Sequence, residues 1–173
     1  MKKLIILSHP EFEKSVINKR WVEEAGKYPD EITVRHIDKH FDGSFDIEEE
    51  QKLVEAHGPI IFQFPVYWFS IPSLGKKWMD EVIAPGWAFG GGDTFKNRKV
   101  AVAASFGVLE ENMKESGAYK FTADEDLAHI HASCLYMGAD YRGHHCLYGA
   151  EHEPSRDYID ENTKAYIDFI RSL

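Results

Sequence analysis

The sequence is short of residues that several functions require. Its 173 residues include only two cysteines, Cys134 and Cys146, too few for a disulfide framework. Both fall in stretches that read as core, which predicts reduced thiols, a packed rather than nucleophilic Cys146, and a cytoplasmic location. Cations are also scarce. The balance of 20 Lys plus Arg against 29 Asp plus Glu gives a net charge of -9, which repels phosphate backbones and excludes nucleic acid as a partner. No apolar run approaches the ~18 residues needed to span a bilayer. The segment Leu4 to Leu7 stops at Ser8-His9-Pro10 with no cleavage signal and reads as a strand rather than a signal peptide. Neither GxGxxG nor GxxxxGKS/T occurs, so the glycine-rich dinucleotide turn and the P-loop are absent. Histidines are present without metal spacing. His129 and His131 lie two apart on an expected helix and point to different faces, while His144, His145 and His152 form no ligand pattern, so no metal is expected. Internal repeats, low-complexity tracts and linkers are missing too.

What remains is ordinary in bulk, with 43% hydrophobic and 28% charged residues. One domain over residues 1–173 is expected, long enough to bury roughly 70% of its unfolded surface. Three continuous apolar runs, Lys3 to Leu7, Pro59 to Phe64 and Lys99 to Ala104, predict central parallel strands covered on both faces. Glu31 to Ile37 alternates, with Ile32, Val34 and His36 on one side, and predicts an edge strand; Tyr141 to Leu147 is a weaker last strand. Helical patterns fall between them at Lys14 to Tyr28, Asp46 to His57, Ser73 to Ile83, Ala123 to Met137 and Ser155 to Ile170. The acidic runs Glu48-Glu49-Glu50 and Asp124-Glu125-Asp126 read as first turns or solvated faces. Five strand–helix alternations predict a doubly wound sheet of order 2-1-3-4-5, with a ligand crevice at the carboxyl ends of strands one, three and four.

The loops at those three ends are chemically unusual. After strand one, Ser15 is a good N-cap, and free N–H groups at Val16 and Ile17, aided by His9 and Asn18, form a candidate phosphate cradle. The alternative is a capped helix beside a solvent-facing histidine. After strand three comes Pro65-Val66-Tyr67-Trp68-Phe69-Ser70-Ile71-Pro72, aromatic where loops are usually polar. A flat heteroaromatic ligand would stack on such side chains and satisfy main-chain groups. Burial of this loop at a subunit interface is the other reading, and the two are compatible. After strand four runs Ser105-Phe106-Gly107-Val108.

These segments, together with Leu7-Ser8-His9-Pro10, Lys77-Trp78-Met79-Asp80-Glu81-Val82 and Gly86-Trp87-Ala88-Phe89, resemble the NAD(P)H:quinone oxidoreductase family over nearly the whole chain. The likeness is closest to its short bacterial members, including ancillary oxidoreductases of glutathione-gated potassium efflux systems. The resemblance implies a flavodoxin-like three-layer α/β sandwich. It also implies FMN, with FAD as the alternative; the short stretch after the last helix favours FMN. NADH or NADPH would be co-substrate, and a quinone or similar small molecule the acceptor of a ping-pong two-electron transfer. By the same resemblance His9, Ser15, Val16, Ile17 and Asn18 would hold the flavin phosphate. Pro65, Val66, Tyr67, Trp68 and Phe69, with Ser105, Phe106, Gly107 and Val108, would line the flavin. Tyr67, Trp68, Phe69 and Tyr119 would serve catalysis, and Trp87, Phe89 and Met113 would face substrate. A homodimer with sites at its interface is implied, as is a membrane transporter partner.

The family pattern is not intact. Ser105-Phe106-Gly107-Val108 stands in place of Thr-Thr-Gly-Gly, Met113 falls on a tyrosine and Tyr119 on a histidine. Both usual side-chain partners of the flavin N1 and O2 edge are therefore changed. Met113 cannot donate a hydrogen bond, which leaves main-chain N–H groups near Gly107 and Val108, or Tyr119, to stabilise charge there. A regulatory flavin-binding subunit and a flavodoxin-type one-electron carrier are the alternative functions. The second is opposed by the absence of a Ser/Thr-rich, glycine-containing phosphate loop.

Overall fold

The computed structural model describes residues 1–173. Five parallel strands, β1 (Lys3–Leu7), β2 (Ile32–His36), β3 (Ile60–Pro65), β4 (Lys99–Ser105) and β5 (Asp140–Leu147), form one sheet in the order β2-β1-β3-β4-β5. The expected topology is thus the observed one. Helices α1 (Ile17–Ala25), α2 (Ile37–His40), α3 (Ile47–Glu55), α4 (Ser73–Val82), α5 (Ala123–Asp126), α6 (Ala128–Met137) and α7 (Arg156–Ser172) occupy the connections. None of them is long and apolar enough to cross a membrane.

Period-two alternation along the central strands divides the core between the two faces of the sheet. Leu4, Ile6, Phe62, Phe64, Val100 and Val102 meet Val54 of α3, Trp78 and Met79 of α4, and Ile130 and Cys134 of α6. Ile5, Leu7, Ile61, Ala101 and Ala103 meet Ile17 and Trp21 of α1 and Ile159, Tyr166 and Ile170 of α7. Each fully buried aliphatic side chain contributes about 1.5–3 kcal/mol, and the small Ala101 and Ala103 leave room for Trp21 stacked on Tyr166 at 4.9 Å. Pairing of β4 with β5 slips by one residue between Val100 and Val102. Gly143, at φ 82°, supplies the positive torsion within the extra residue.

Three local expectations need correction. The helix expected from Lys14 begins as a 3-10 turn, Phe12–Lys14, and becomes α-helical only at Ile17, with Val16 at the N-cap position. Ser15 still caps, since its Oγ accepts the Asn18 N–H at 3.0 Å. The helix expected over Ala123 to Met137 is two helices meeting at Leu127, which leaves helical geometry at φ -85° and ψ 2°; a reciprocal Thr122–Glu125 capping box starts the first of them. Finally, Ile37 ends no strand: it opens α2, which carries Asp38 toward the mouth of β1.

Candidate functional site

The carboxyl ends of β1, β3, β4 and β5 surround two adjoining cavities that share Val66, Tyr67, Gly107 and Glu151. The larger, about 430 Å³, is lined by Val66, Tyr67, Trp68, Phe69, Phe106, Gly107, Val108 and Glu151. The smaller, about 220 Å³, is bordered by His9, Lys14, Ser15, Val16, Ile17, Pro65 and Ser105 among others. Residues expected to act together from three separate loops therefore do converge.

At the smaller cavity the donors come from α1 and from β1. Ser15 N–H donates to Phe12 and Asn18 N–H to Ser15 Oγ, while the Val16 and Ile17 N–H groups donate to nothing within the chain. Such a pair at a helix start attracts an anion. His9 is 6% exposed, and its Nδ1 has no hydrogen-bond partner. Its main-chain N–H donates to Asp38 Oδ2 at 2.8 Å. Burial lowers the His9 pKa against the opposing pull of Asp38. Ser8 Oγ is buried and unpaired beside it in sequence.

Asn18 does not face the cavity. It is 1% exposed and belongs to a directional hydrogen-bond chain beneath it. Tyr166 Oη donates to Gln63 Oε1 at 2.7 Å, Gln63 Nε2 to Asn18 Oδ1 at 3.2 Å, and Asn18 Nδ2 to Ser105 Oγ at 2.9 Å. The Ser105 hydroxyl, at the cavity wall, keeps its own proton free to donate. Gln63 and Tyr166 carry no sequence signal of this role, because a glutamine in an apolar strand reads only as an anomaly.

The larger cavity is built from main chain and rings. Tyr67 N–H donates to Ser70 O at 2.9 Å and Ser70 N–H to Tyr67 O at 3.1 Å. This closed turn drives its central residues, Trp68 and Phe69, to φ 49° and 54°. Glycine or asparagine normally fills such positions, and each bulky side chain there costs roughly 1–2 kcal/mol. Strain of this kind marks functional segments. Its effect is to leave the Trp68 and Phe69 N–H groups without partners in the chain and the Trp68 side chain 93% exposed. Val66 N–H ties this loop to Ser105 O at 2.8 Å.

Opposite it, the segment after β4 is fastened to the segment after β5. Gly149 N–H donates to Val108 O, Ala150 N–H to Phe106 O and Glu151 N–H to Gly107 O, at 2.7, 2.9 and 3.2 Å. Phe106 stacks on Tyr148 at 5.2 Å. Gly107 and Val108 N–H groups have no partner in the chain. Glu151 and Ala150 follow β5, a fourth strand end at the cleft, and with Lys14 they are wall residues that no sequence motif marks.

Other expected site residues lie elsewhere. Tyr119 comes near, its ring 5.2 Å from that of Phe69. Met113 is 3% exposed and packed in the core rather than facing the cleft. Trp87 donates Nε1–H to Glu55 at 2.7 Å and meets Phe95 edge-on, and Phe89 meets Tyr136. Neither lines the cleft of its own chain. No group of three or more His, Cys, Asp or Glu side chains is placed to hold a metal.

This arrangement can grip an anion at one end and a flat polar ring at the other. Residues 1–170 match the family with the flavodoxin-like fold. General stress protein 14 of Bacillus subtilis (strain 168) is 37% identical, over 99% of this chain and 98% of that one. The uncharacterized NAD(P)H oxidoreductase YdeQ of the same organism is 36% identical, over 100% of this chain and 88% of that one. KefF of Citrobacter koseri, an ancillary protein of a glutathione-regulated potassium-efflux system, is 33% identical, over 87% and 86%. Among solved structures, general stress protein 14 of Treponema denticola in complex with FMN superimposes with a TM-score of 0.94 at 33% identity, covering 99% of each chain. The chain belongs to the flavodoxin-like family of NAD(P)H oxidoreductases that also contains the potassium-efflux ancillary proteins.

Proposed function

We propose that the protein is an FMN-dependent NAD(P)H oxidoreductase that reduces a quinone or similar small acceptor in two ping-pong half-reactions. The observation that carries this reading is the pair of adjoining cavities, one ending in unpaired helix N–H groups and an unpartnered His9 Nδ1, the other in a strained aromatic turn. Those donors fit FMN. The Val16 and Ile17 N–H groups, Ser15, Ser105 and His9 would hold its phosphate, and Val66 to Phe69, Phe106, Gly107 and Val108 its ring. When bound, FMN supplies the redox chemistry, taking hydride from NAD(P)H, which leaves as NAD(P)⁺, and passing two electrons to the acceptor.

The chain's own residues orient and enclose. The Trp68 and Phe69 N–H groups present donors on one side of the larger cavity, and the Gly107 and Val108 N–H groups present donors on the other. The second pair takes over the donor role that Met113 cannot fill. Tyr119, held against Phe69, guards the entrance. Exposed Trp68, Leu135 and Tyr136 support a homodimer in which Trp87 and Phe89 reach substrate of a neighbouring subunit. Kinship with the potassium-efflux ancillary proteins supports a second reading, in which this oxidoreductase docks on a membrane transporter from the cytoplasmic side. Its two free cysteines suit that reducing compartment.

Anaerobic addition of NADH and of NADPH to the FMN-loaded protein tests the reading. Bleaching by at least one of them, followed by stoichiometric reoxidation on adding a quinone, is expected; FMN that stays oxidised in both would refute it. Co-purification with a potassium-efflux membrane protein tests the docking.

A further inference from the structure

Glu151 is the one acidic side chain on the wall of the larger cavity, and it borders the smaller cavity as well. Its position is fixed by main chain: Glu151 N–H donates to Gly107 O, within the Gly149–Glu151 segment that pairs with Phe106–Val108. Its carboxyl lies over Gly107, where a Cβ would come within 2.6 Å of Cδ and 2.7 Å of Oε1. The carboxylate thus rests against Gly107, on the same cavity wall as the unpartnered Gly107 and Val108 N–H groups. No cation neutralises it. Lys14, which lines the smaller cavity, pairs with Glu11, and Glu151 takes part in no ion pair.

We propose that Glu151 tunes the redox balance of this site, its negative charge disfavouring the reduced form of a ring bound in the larger cavity and so making that form a stronger donor. The inference rests on the FMN reading above. A hydride brings two electrons and one proton, a net charge of -1, and a neighbouring carboxylate opposes that added charge by Coulomb repulsion. It acts against the Gly107 and Val108 donors, which favour the same charge. The wall that holds these two main-chain donors thus also carries an acid, which favours giving electrons away over holding them. Because Glu151 is exposed, the effect is screened by salt.

Glu151→Gln keeps the shape and removes the charge. The FMN-loaded wild type and variant are equilibrated anaerobically with reference dyes at low and high ionic strength, and oxidised FMN affinity is measured on the apoproteins by fluorescence. Reduced FMN should be held about tenfold more tightly, relative to oxidised, in the variant, which raises the two-electron midpoint potential by about 30 mV. The wild-type potential should climb toward the variant's as salt is added while the variant's changes little. Affinity for oxidised FMN should change less than threefold. A variant that binds FMN with an unchanged potential, or a shift that salt does not remove, overturns the proposal. Glu151→Ala is measured in parallel. If neither variant retains FMN while the wild type does, Glu151 is a holding group and the proposal fails; a wild type that binds no FMN refutes the functional reading itself.

Discussion

The loops after β1 and β4 face the same cleft but are built on different plans. The first offers side chains: Ser15 caps α1, and His9 waits buried with an unpartnered Nδ1. The second offers almost none. Ser105 accepts from Asn18 and keeps one hydroxyl proton, Phe106 is stacked on Tyr148, and beyond them the Gly107 and Val108 N–H groups are the free donors. A site built from side chains can be read from residue identity. One built from main chain depends on how the chain is held, which here is decided by a pairing with residues 149–151 far along the sequence.

Cutting the link between the two loops should have the largest effect. Asn18→Ala removes the joint between Gln63 and Ser105 and strands their buried polar groups, at a cost of about 3 kcal/mol. Urea denaturation reads that loss, and a change under about 0.5 kcal/mol would mean the two loops are independent. The strained turn should respond with opposite signs. Trp68→Gly relieves a positive φ and should raise stability by about 1 kcal/mol, while weakening FMN about tenfold through lost aromatic contact. Loss of both would show that the turn serves folding. His9→Ala should cost FMN about tenfold in affinity and leave riboflavin, which has no phosphate, within about twofold; calorimetry with both flavins distinguishes an anion contact from general packing.

The pH response is smaller. Burial depresses the pKa of His9, His36 and His145, so the unfolded chain, with histidines near ~6.5, binds more protons as pH falls from 8 to 6. Stability present above that window is lost on acidification. Asp126, pushed up to about 6 by burial, acts oppositely at the acidic edge of this range and offsets part of the loss near pH 6. The melting temperature should therefore fall from pH 8 to pH 6, and fall less in His9→Ala. Least of all should follow from Met113→Leu, a volume-conserving core change under about 1.5 kcal/mol that leaves FMN affinity untouched; a marked loss of affinity would return Met113 to the cleft.

Legibility followed the same division. The central strands were readable because burial on both faces leaves uninterrupted apolar runs, and their order followed from strand–helix alternation. The α5–α6 break at Leu127 was hidden because the capping box Thr122–Glu125 lies at the start of a pattern that remains helical across the joint. His9, Ser15, Val16 and Ile17 carry chemistry that is local in sequence, and the fold brings all four to the smaller cavity. Asn18 was found for the wrong contact, since its amide turns inward to Gln63 and Ser105. Glu151 was invisible because its place comes from long-range main-chain pairing. Trp87 and Phe89 sit where one chain alone gives them no access to the cleft.

The proposed flavin site joins the loops after β1, β3 and β4. Titrating the purified protein with FMN while following tryptophan fluorescence tests it most directly, because Trp68 is 93% exposed beside the larger cavity, whereas Trp21 and Trp78 are fully buried and Trp87 lines neither cavity. Saturable quenching at one FMN per chain, much reduced in Trp68→Phe, is the expected result. Absence of binding, or quenching that Trp68→Phe leaves unchanged, would contradict it.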